Sequence, residues 1–404
     1  MRVGIIMDTP FPPDARVENE VATLRQAGHE IFLFHIDYEG RPRQEEYQGI
    51  RIFRMNGSWL LYKLSALVYT LPFFRWKVQR PVKHFIRESG VEVLHIQDMV
   101  IAEAVFRVNR EFSLPVVLDL HENRPEIMKL YKHVNQWPGR WLIHPARWSE
   151  KQIEFMEKAD HVILVTEEAR EWAFEEANIP KEKVTVLPNV VRLNEFKVKN
   201  TDPLIYDLSE DRFTVLYIGD TSLRRGTSTA IEAIAELRDR IPNIQLLLVG
   251  SSSQDHLLRQ KTKKHQLESW VRFEGWQDPE KLPAYIHASQ VGISPLHRNL
   301  HHDTTYANKL FQYMAIGRPV IVSDCPAQAQ VVQKEQCGLV HEAGNERDLA
   351  DKILTLYENP VLRKQMGEKG RKAIKETYHW ESTGKALIHL YNQIQRTHGY
   401  GNEG

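Results

Sequence analysis

The chain has 404 residues, which exceeds one ordinary domain and predicts two domains that each bury their own core. Lys and Arg together number 53, as do Asp and Glu, so no net basic charge supports nucleic acid as a partner. The two cysteines, Cys325 and Cys337, are too few for a disulfide framework and wrongly spaced for zinc, which indicates a reducing cytosol.

The first half alternates short apolar runs with longer amphipathic runs. Its apolar start, Met1–Met7, is too short for a signal-peptide core and is typical of a first strand. The short runs have apolar residues on both faces, as in strands buried between helix layers. Helices such as Val17–Ala27 and Val100–Glu111 separate them, so we predict parallel βαβ units. The predicted strands are Val3–Met7, Glu30–His35, Ile50–Arg54, Val93–Ile96, Val116–Asp119, His161–Val165 and Val184–Leu187.

The second half repeats this order after a polar linker, Arg192–Arg212. We therefore predict an α/β fold of two doubly wound Rossmann-like domains facing across a cleft. The first domain spans residues 1–195, the second spans 212–377, and a C-terminal segment, 378–404, carries a helix that returns to the first domain. The predicted strands of the second domain are Thr214–Ile218, Gln245–Val249, Val271–Phe273, Val291–Ser294 and Val320–Val322.

An anion site is predicted where the strand ending at Ile218 meets the loop Gly219–Gly226. A helix, Thr227–Arg238, follows, and its first amides and its dipole both favour negative charge. Arg224 and Arg225 add guanidinium groups that suit phosphate oxygens. The alternative is a solvated basic loop.

A second candidate site begins at Ala307, where a predicted helix runs to the glycine Gly317, followed by Pro319. Lys309 lies in the first turns of this helix, where the dipole disfavours a cation. That position is explained if an anion binds there, and the alternative is an exposed lysine.

Three stretches together resemble the family 4 (group 1) glycosyltransferases over most of the chain. The first comprises Phe11–Arg16 and Leu24–Glu30, the second is Gly219–Gly226, and the third is Asn308–Val322 with Gly338–Val340 after it. The resemblance implies a GT-B fold whose C-terminal domain binds a nucleotide-diphosphate sugar. It also implies transfer to a glycan or lipid-linked acceptor, retention of configuration, and no metal or other cofactor.

The resemblance also assigns roles to individual residues. It implies that Gly219 and Arg225 contact the donor diphosphate, and we expect Lys309 to act as a replacement cation there. Asp220 stands at a family arginine position, for which we expect Arg224 to substitute. The two family glutamates correspond to Thr304 and Gln312, which we expect to act in catalysis, with Gln312 also binding ribose through its amide. His121 lies just beyond the predicted strand Val116–Asp119 and is expected to act in catalysis by contacting the donor sugar; the alternative is a histidine with a structural hydrogen bond.

Four further side chains are candidates for the acceptor side. Arg16 can meet an acceptor phosphate with Glu20 one helical turn on, or the two can form a surface ion pair of little energetic weight. His95 and Asp98 follow another strand, and their alternatives are core packing and capping of the next helix by Asp98.

The segment Trp59–Lys83 combines a helical leucine stripe with aromatic and basic residues, as interfacial helices do. It predicts binding to an anionic membrane surface, so that the enzyme is cytoplasmic or peripheral at the cytoplasmic membrane face. The alternative is a core helix with a basic end. A second aromatic and basic stretch, Trp137–Trp148, follows later.

Three functions remain open. The first is a metal-independent glycosyltransferase that acts in polysaccharide or cell-envelope synthesis. The second is a non-catalytic GT-B subunit that binds a nucleotide or a partner protein, because Thr304 and Gln312 replace carboxylates. The third, a sugar-nucleotide epimerase, requires a pair of acid and base groups that the sequence does not present.

Overall fold

In a computed structural model, the chain forms two compact units. The first comprises Met1–Pro188 with Gly384–Gly404, and the second comprises Asn189–Thr383. The structure describes residues 1–129, 134, 137, 139–198 and 211–399. Residues 199–210 of the predicted linker therefore lie outside the described ranges. The boundary between the units precedes the linker, and the C-terminal residues from Gly384 belong to the first unit, as does most of the last helix.

The first unit contains an eight-stranded sheet in the order β3-β4-β2-β1-β5-β6-β7-β8. All neighbouring strands run parallel except β3 and β4. β1, β5 and β6 are almost entirely buried and mostly apolar, as predicted for strands covered by helices on both faces. The strands are β1 Arg2–Met7, β2 Glu30–Asp37, β3 Gln44–Tyr47, β4 Ile50–Asn56, β5 Val93–Gln97, β6 Val116–Leu120, β7 His161–Leu164 and β8 Val184–Val186.

The helices described for this unit flank and connect these strands. They are α1 Ala15–Gln26, α2 Trp59–Ser65, α3 Phe73–Ser89, α4 Ala102–Asn109, α5 Arg124–Lys129, α6 Gly139–Leu142, α7 Pro145–Lys158 and α8 Glu167–Glu176. Asp14 caps α1 by accepting from the amide of Val17, and Ser58 caps α2 by accepting from Leu61. Such caps fix where each helix begins.

The second unit contains a six-stranded parallel sheet in the order β11-β10-β9-β12-β13-β14. This is the Rossmann strand order, which reverses between β9 and β12. In the first unit the order reverses between β1 and β5. Ligands of such sheets bind at the carboxyl ends of the strands beside these reversals. The strands are β9 Phe213–Ile218, β10 Ile244–Val249, β11 Val271–Gly275, β12 Val291–Ser294, β13 Val320–Ser323 and β14 Gly338–His341.

The helices described after β9 complete the second unit and the C-terminus. They are α9 Thr227–Leu237, α10 Asp255–Lys264, α11 Leu282–Ala288, α12 Leu300–Asp303, α13 Asn308–Ala315, α14 Pro326–Glu335, α15 Glu346–Glu358, α16 Pro360–Glu376 and α17 Trp380–His398. Gly317, two residues beyond α13, has φ +76°, which confirms the predicted glycine stop. Within the described residues, none of these helices combines the length and apolar character that crossing a bilayer requires.

The predicted strands are all present, but two strands were missed. β3 is polar and mostly exposed, so it carries no apolar signal, and β14 is only partly buried. The predicted single helix near Trp59 is also wrong. Two helices, α2 and α3, replace it, and the turn between them moves Val68 and Tyr69 into the core while Trp59 and Leu60 remain exposed.

Candidate functional site

The loop that follows β9 is compact and depends on glycine. Gly219 has φ +105°, and its amide donates to the carbonyl of Val249 over 2.8 Å. A Cβ at Gly226, where φ is +75°, would lie 1.6 Å from the carbonyl oxygen of Pro295. Only glycine is therefore tolerated at that position. Gly226 directly precedes α9, so the loop joins the carboxyl end of a strand to a helix N-terminus, which favours anions.

Two arginines of this loop share one carboxylate. Arg224 Nη2 donates to Asp220 Oδ2 over 3.2 Å, and Arg225 Nε lies 3.7 Å from the same oxygen. Burial raises the pKa of Asp220, but hydrogen bonds from Ser222 and the two arginines outweigh it and hold that pKa below its usual value. Among the described residues, Arg224 Nη1 and Arg225 Nε find no hydrogen-bond acceptor although both atoms are buried. Buried donors without acceptors are costly, and an anionic ligand could supply the missing acceptors at this loop.

Lys309, the second residue of α13, is buried beside the same loop. Its Nζ lies 3.3 Å from the ring centroid of Tyr217 and 3.7 Å from where a Cβ on Gly219 would lie. Burial, reinforced by the charge of Arg225, holds the pKa of Lys309 well below its usual value. The alternative of an exposed lysine is therefore wrong. A buried amine at a helix N-terminus is unfavourable by itself and becomes favourable when an anion is bound.

Thr304 and Gln312 occupy different surroundings. Thr304 is buried at the end of α12, and its hydroxyl donates to the carbonyl of Leu300 over 2.6 Å. Gln312 is half-buried on α13, three residues after Lys309, so the two side chains share one face of that helix. An amide that donates and accepts beside a buried cation can bind vicinal hydroxyl groups next to a phosphate.

His302 also belongs to this region, although the sequence did not single it out. It is fully buried on α12, and its Nδ1 lies 2.7 Å from the carbonyl oxygen of His297. Burial, reinforced by the charges of Arg225 and Arg224, lowers the pKa of His302 to about 4. Its Nε2 has no hydrogen-bond partner in the part of the chain that the structure describes. A signal was available, since three histidines fall between His297 and His302.

In the first unit, polar side chains follow the three neighbouring strands β1, β5 and β6. Asp8 follows β1, Asp98 follows β5 with φ +61°, and His121 follows β6. Asp98 Oδ2 accepts from Arg124 Nε and Nη2 over 3.0 and 2.8 Å, and Oδ1 accepts from the amide of Met99. Since α4 begins four residues later and Ile101 occupies its N-cap position, capping of that helix by Asp98 is wrong.

Asp8 was missed by sequence analysis, although it follows a strand just as His121 does. Burial, opposed by the charge of Arg124 and aided by Asp98, raises the pKa of Asp8 to about 6. His121 is a quarter exposed, and its Nδ1 lies 3.9 Å from Asp119 Oδ1, too far for a hydrogen bond. The structural hydrogen bond considered as the alternative for the Nδ1 of His121 is therefore absent from the described residues.

Arg16, Glu20 and His95 form a buried network rather than a surface. Arg16 donates to both carboxylate oxygens of Asp119 at 2.8–3.1 Å and lies 3.0 Å from Glu20. His95 Nδ1 lies 2.8 Å from the hydroxyl of Tyr391. This corrects both expectations for Arg16 and Glu20, because a guanidinium saturated inside the unit can neither meet an acceptor phosphate nor form a surface ion pair. His95 is likewise internal.

The pKa values of the two carboxyl groups in this network, Glu20 and Asp119, shift in opposite directions. Burial and the neighbouring charge of Asp119 raise the pKa of Glu20 well above its usual value. Burial by itself would raise the pKa of Asp119, but the Arg16 guanidinium and a hydrogen bond from His95 hold that pKa well below its usual value. The Arg16 guanidinium, which contacts both carboxyl groups, thus favours the ionised form of Asp119, while burial disfavours the ionised form of Glu20.

The Glu20, His95 and Asp119 side chains are also close enough to one another to suggest a metal ion. The donor set does not fit one, because the Arg16 guanidinium already contacts both carboxyl groups. A divalent cation would have to replace or repel this buried positive charge. We assign the trio to the internal network.

The fold and the loop after β9 define a two-domain Rossmann-like transferase of the GT-B type. Residues 198–373 match the family model "Glycosyl transferases group 1", and residues 13–190 match the model "Glycosyl transferase 4-like domain". The two matches together cover most of the chain. The chain belongs to the group 1 (family 4) glycosyltransferases.

Relatives are similar over nearly the whole chain. Phosphatidyl-myo-inositol mannosyltransferase from Mycobacterium leprae is 24% identical over 399 residues, which are 98% of this chain and 97% of that protein. Sucrose-phosphate synthase from Thermosynechococcus elongatus aligns with TM-score 0.80 and 20% identity over 98% of this chain and 99% of the other. HepE from Anabaena, solved with UDP, aligns with TM-score 0.71 and 16% identity over 97% and 100%. These structures share the GT-B fold.

Proposed function

We propose that this glycosyltransferase moves a sugar from a nucleotide-diphosphate donor to a glycan or lipid-linked acceptor, without a metal ion and with retention of configuration. The donor binds to the second unit, with its diphosphate at Arg224, Arg225, Lys309 and the amide of Gly219. The ribose hydroxyl groups bind Gln312. The acceptor binds to the first unit near His121 and Asp98.

The buried position of Lys309 is the observation that carries this proposal. A lysine amine with a lowered pKa lies against a glycine loop whose arginines retain unsatisfied donors. Three cationic groups and a helix N-terminus can together stabilise the charge that develops on a leaving diphosphate. This charge balance is what supports transfer without a divalent ion. UDP in the solved HepE structure supports the same ligand class.

Calorimetric titration with uridine, guanosine and adenosine diphosphates tests the donor site. Replacing Arg225 by Ala removes one charge-assisted contact, so we expect the tightest diphosphate to bind roughly 10- to 150-fold more weakly. Arg240→Ala, an exposed arginine elsewhere in the second unit, is the matched control. Equal affinities of the Arg225→Ala variant and the wild type would remove Arg225 from the site.

Turnover separates the enzyme from the alternative, a non-catalytic GT-B subunit that binds a nucleotide or a partner protein. Thr304 and Gln312, which lack carboxylates, favour that alternative. Release of the diphosphate from matched sugar nucleotides is measured in EDTA with glycan and lipid acceptors, and NMR of the product gives the anomeric configuration. Nucleotide binding without release across the panel would support the subunit. Activity that EDTA abolishes would contradict the metal-free mechanism.

We also propose that the first unit binds an anionic membrane at the cytoplasmic face. Trp59, Trp76 and Trp141 are 69%, 57% and 76% exposed, and Leu60, Tyr62 and Phe73 are exposed with them. The hydroxyl of Thr70 donates to the carbonyl of Leu142 over 2.8 Å, which joins the α2–α3 region to α6. Exposed tryptophans beside the cations Lys63, Lys77 and Arg80 are typical of an interfacial surface. The acceptor named for the mycobacterial relative is a phospholipid, which agrees with this surface.

Co-sedimentation with vesicles of phosphatidylglycerol and phosphatidylcholine tests the membrane proposal. The double variant Trp59→Ser, Trp141→Ser should no longer sediment with the vesicles. Both side chains are mostly exposed, so their replacement does not disturb the core. Trp276→Ser, at an equally exposed tryptophan of the second unit (70%), is the matched control and should still sediment. Equal sedimentation of the double variant and the control, or no sedimentation of the wild type, would contradict the proposal.

A further inference from the structure

A cavity of about 480 Å³ lies in the second unit, between α10 and the amino ends of β10 and β11. Its size falls within the range of small-molecule sites. It lies at the edge of the sheet opposite the diphosphate loop. Gln245 in the cavity pairs in register with Thr214, five residues before Gly219, which corresponds to about 16 Å along a strand. A ligand in this cavity therefore leaves the donor site open.

Three guanidinium groups line the cavity, from Arg212, Arg259 and Arg272. Arg212 Nη1 donates to the carbonyl of Ser269 over 2.8 Å, and Arg272 pairs with Glu274. Arg259 has no carboxylate partner in the described chain and lies 4.4 Å from the ring centroid of Phe273. The ring holds this guanidinium beside the cavity without neutralising it. The guanidinium groups favour an anion that offers two oxygen atoms to one arginine, such as a phosphate.

A second and independent observation comes from Gln245, whose side chain lines the floor of the cavity. It is more than nine-tenths buried, and its Oε1 has no hydrogen-bond partner among the residues described. A buried amide oxygen without a partner is costly unless a ligand donates to it. Glu268, at the cavity wall, is a further acceptor. Gln245 and Glu268 can therefore accept hydrogen bonds from the hydroxyl groups of a ligand whose phosphate is bound by the arginines.

We propose that this cavity is a second ligand site that binds a phosphorylated sugar, with its phosphate at Arg259 and Arg212 and its hydroxyl groups at Gln245 and Glu268. The site is separate from the donor diphosphate site and does not depend on the proposed transfer reaction. Because it lies on the opposite edge of the sheet, its ligand is an effector rather than a substrate.

Calorimetric titration of the full-length protein with glucose 6-phosphate tests this site. The parent protein carries Arg225→Gln, which weakens phosphate binding at the donor site. We expect glucose 6-phosphate to bind to this parent, uncharged glucose to show no binding, and Arg259→Gln to weaken the phosphate sugar at least tenfold. Arg259 is exposed, so its replacement leaves the fold intact. Arg240→Gln, outside the cavity, is the matched control and should bind as the parent does.

A second variant, Gln245→Leu, separates the phosphate contact from the hydroxyl contact. It should weaken glucose 6-phosphate while leaving the weaker binding of inorganic phosphate unchanged. The proposal is overturned if the parent does not bind glucose 6-phosphate, if Arg259→Gln binds as tightly as Arg240→Gln, or if Gln245→Leu leaves the affinity for glucose 6-phosphate unchanged. None of these outcomes bears on nucleotide binding, so the donor proposal is tested separately.

Discussion

In each of the two sheets the strand order reverses at one place, and the charged side chains beside that place are mainly positive in the second unit and mainly negative in the first. Beside the reversal at β9 and β12, Arg224 and Arg225 share the carboxylate of Asp220, and the buried Lys309 lies close to them. Beside the reversal at β1 and β5, the carboxyl groups of Asp8 and Asp98 meet Arg124. The same topology thus produces a cationic site in one unit and an acidic site in the other. Topology locates a site, and the side chains at the strand ends decide which ligand it takes.

The two regions also differ in how completely their arginine side chains are paired. Below the first sheet's carboxyl edge, Arg16 is saturated by Asp119, Glu20 and the carbonyl of Leu187. In the second unit, buried nitrogen atoms of Arg224 and Arg225 are left without acceptors in the described ranges. Internal pairing stabilises a fold, whereas donors left unsatisfied are available to a ligand. This difference leads to three predictions.

The largest expected effect is on stability, from replacing Arg16 by Met. Asp119 would remain buried without the guanidinium that compensates its charge, so the free energy of unfolding should fall by roughly 3–5 kcal/mol in urea denaturation at pH 7. Arg51→Met removes a comparable ion pair with Glu30 at the surface, 2.9 Å long, and should cost less than about 1 kcal/mol. Similar losses for both variants would show that the buried network is not the stabilising element.

The next effect is on the pH dependence of diphosphate binding. The pKa of Lys309 is low in the free protein, and a bound diphosphate raises it. Binding should therefore take up a proton, and affinity should decline as pH rises. Calorimetry in two buffers of different ionisation enthalpy measures this uptake. Lys309→Met should abolish the uptake and weaken binding roughly 10- to 150-fold, whereas Arg225→Ala should weaken binding but retain the uptake. Equal uptake in wild type and Lys309→Met would assign the proton elsewhere.

The smallest effect concerns Asp8. Burial raises its pKa from the ordinary 3.8 to about 6, so its contribution to stability is fully present below pH 4 and is lost as pH rises through 6. Asp8→Asn should therefore increase the free energy of unfolding by about 1–2 kcal/mol at pH 8. The variant and the wild type should converge near pH 4. Asp239→Asn, at an exposed aspartate, is the control, and a gain for Asp8→Asn that persists at pH 4 would exclude ionisation as its cause.

Much of the fold could be predicted from the sequence, because buried parallel strands are short, apolar and separated by amphipathic helices. The glycine loop at Gly219 and the helix stop at Gly317 were also readable, since each glycine has a positive φ that other residues avoid. β3 could not be predicted, because an exposed, polar edge strand lacks that pattern.

The candidate site was only partly predictable. Sequence placed Arg225 and Lys309 near an anion, but it left open whether Lys309 was exposed. It assigned Arg16 and Glu20 to an acceptor, although their partner Asp119 lies about a hundred residues away in the chain, 103 from Arg16. The pairing of residues so distant in sequence depends on strand order, which no local pattern records.

The sequence by itself thus determined the strand and helix pattern, the two Rossmann-like domains and the glycine loop at which we predict an anion site. Local chemistry is sufficient for these features, since periodicity, glycine and charge act over a few residues. Only the tertiary structure decided which charges are neutralised. Inside the first unit, Arg16 forms an ion pair with Asp119. In the second unit, Lys309 is buried against Tyr217, beside two arginines that share one carboxylate. A side chain's role depends on whether its partners come from the protein or must come from a ligand, and only packing settles that.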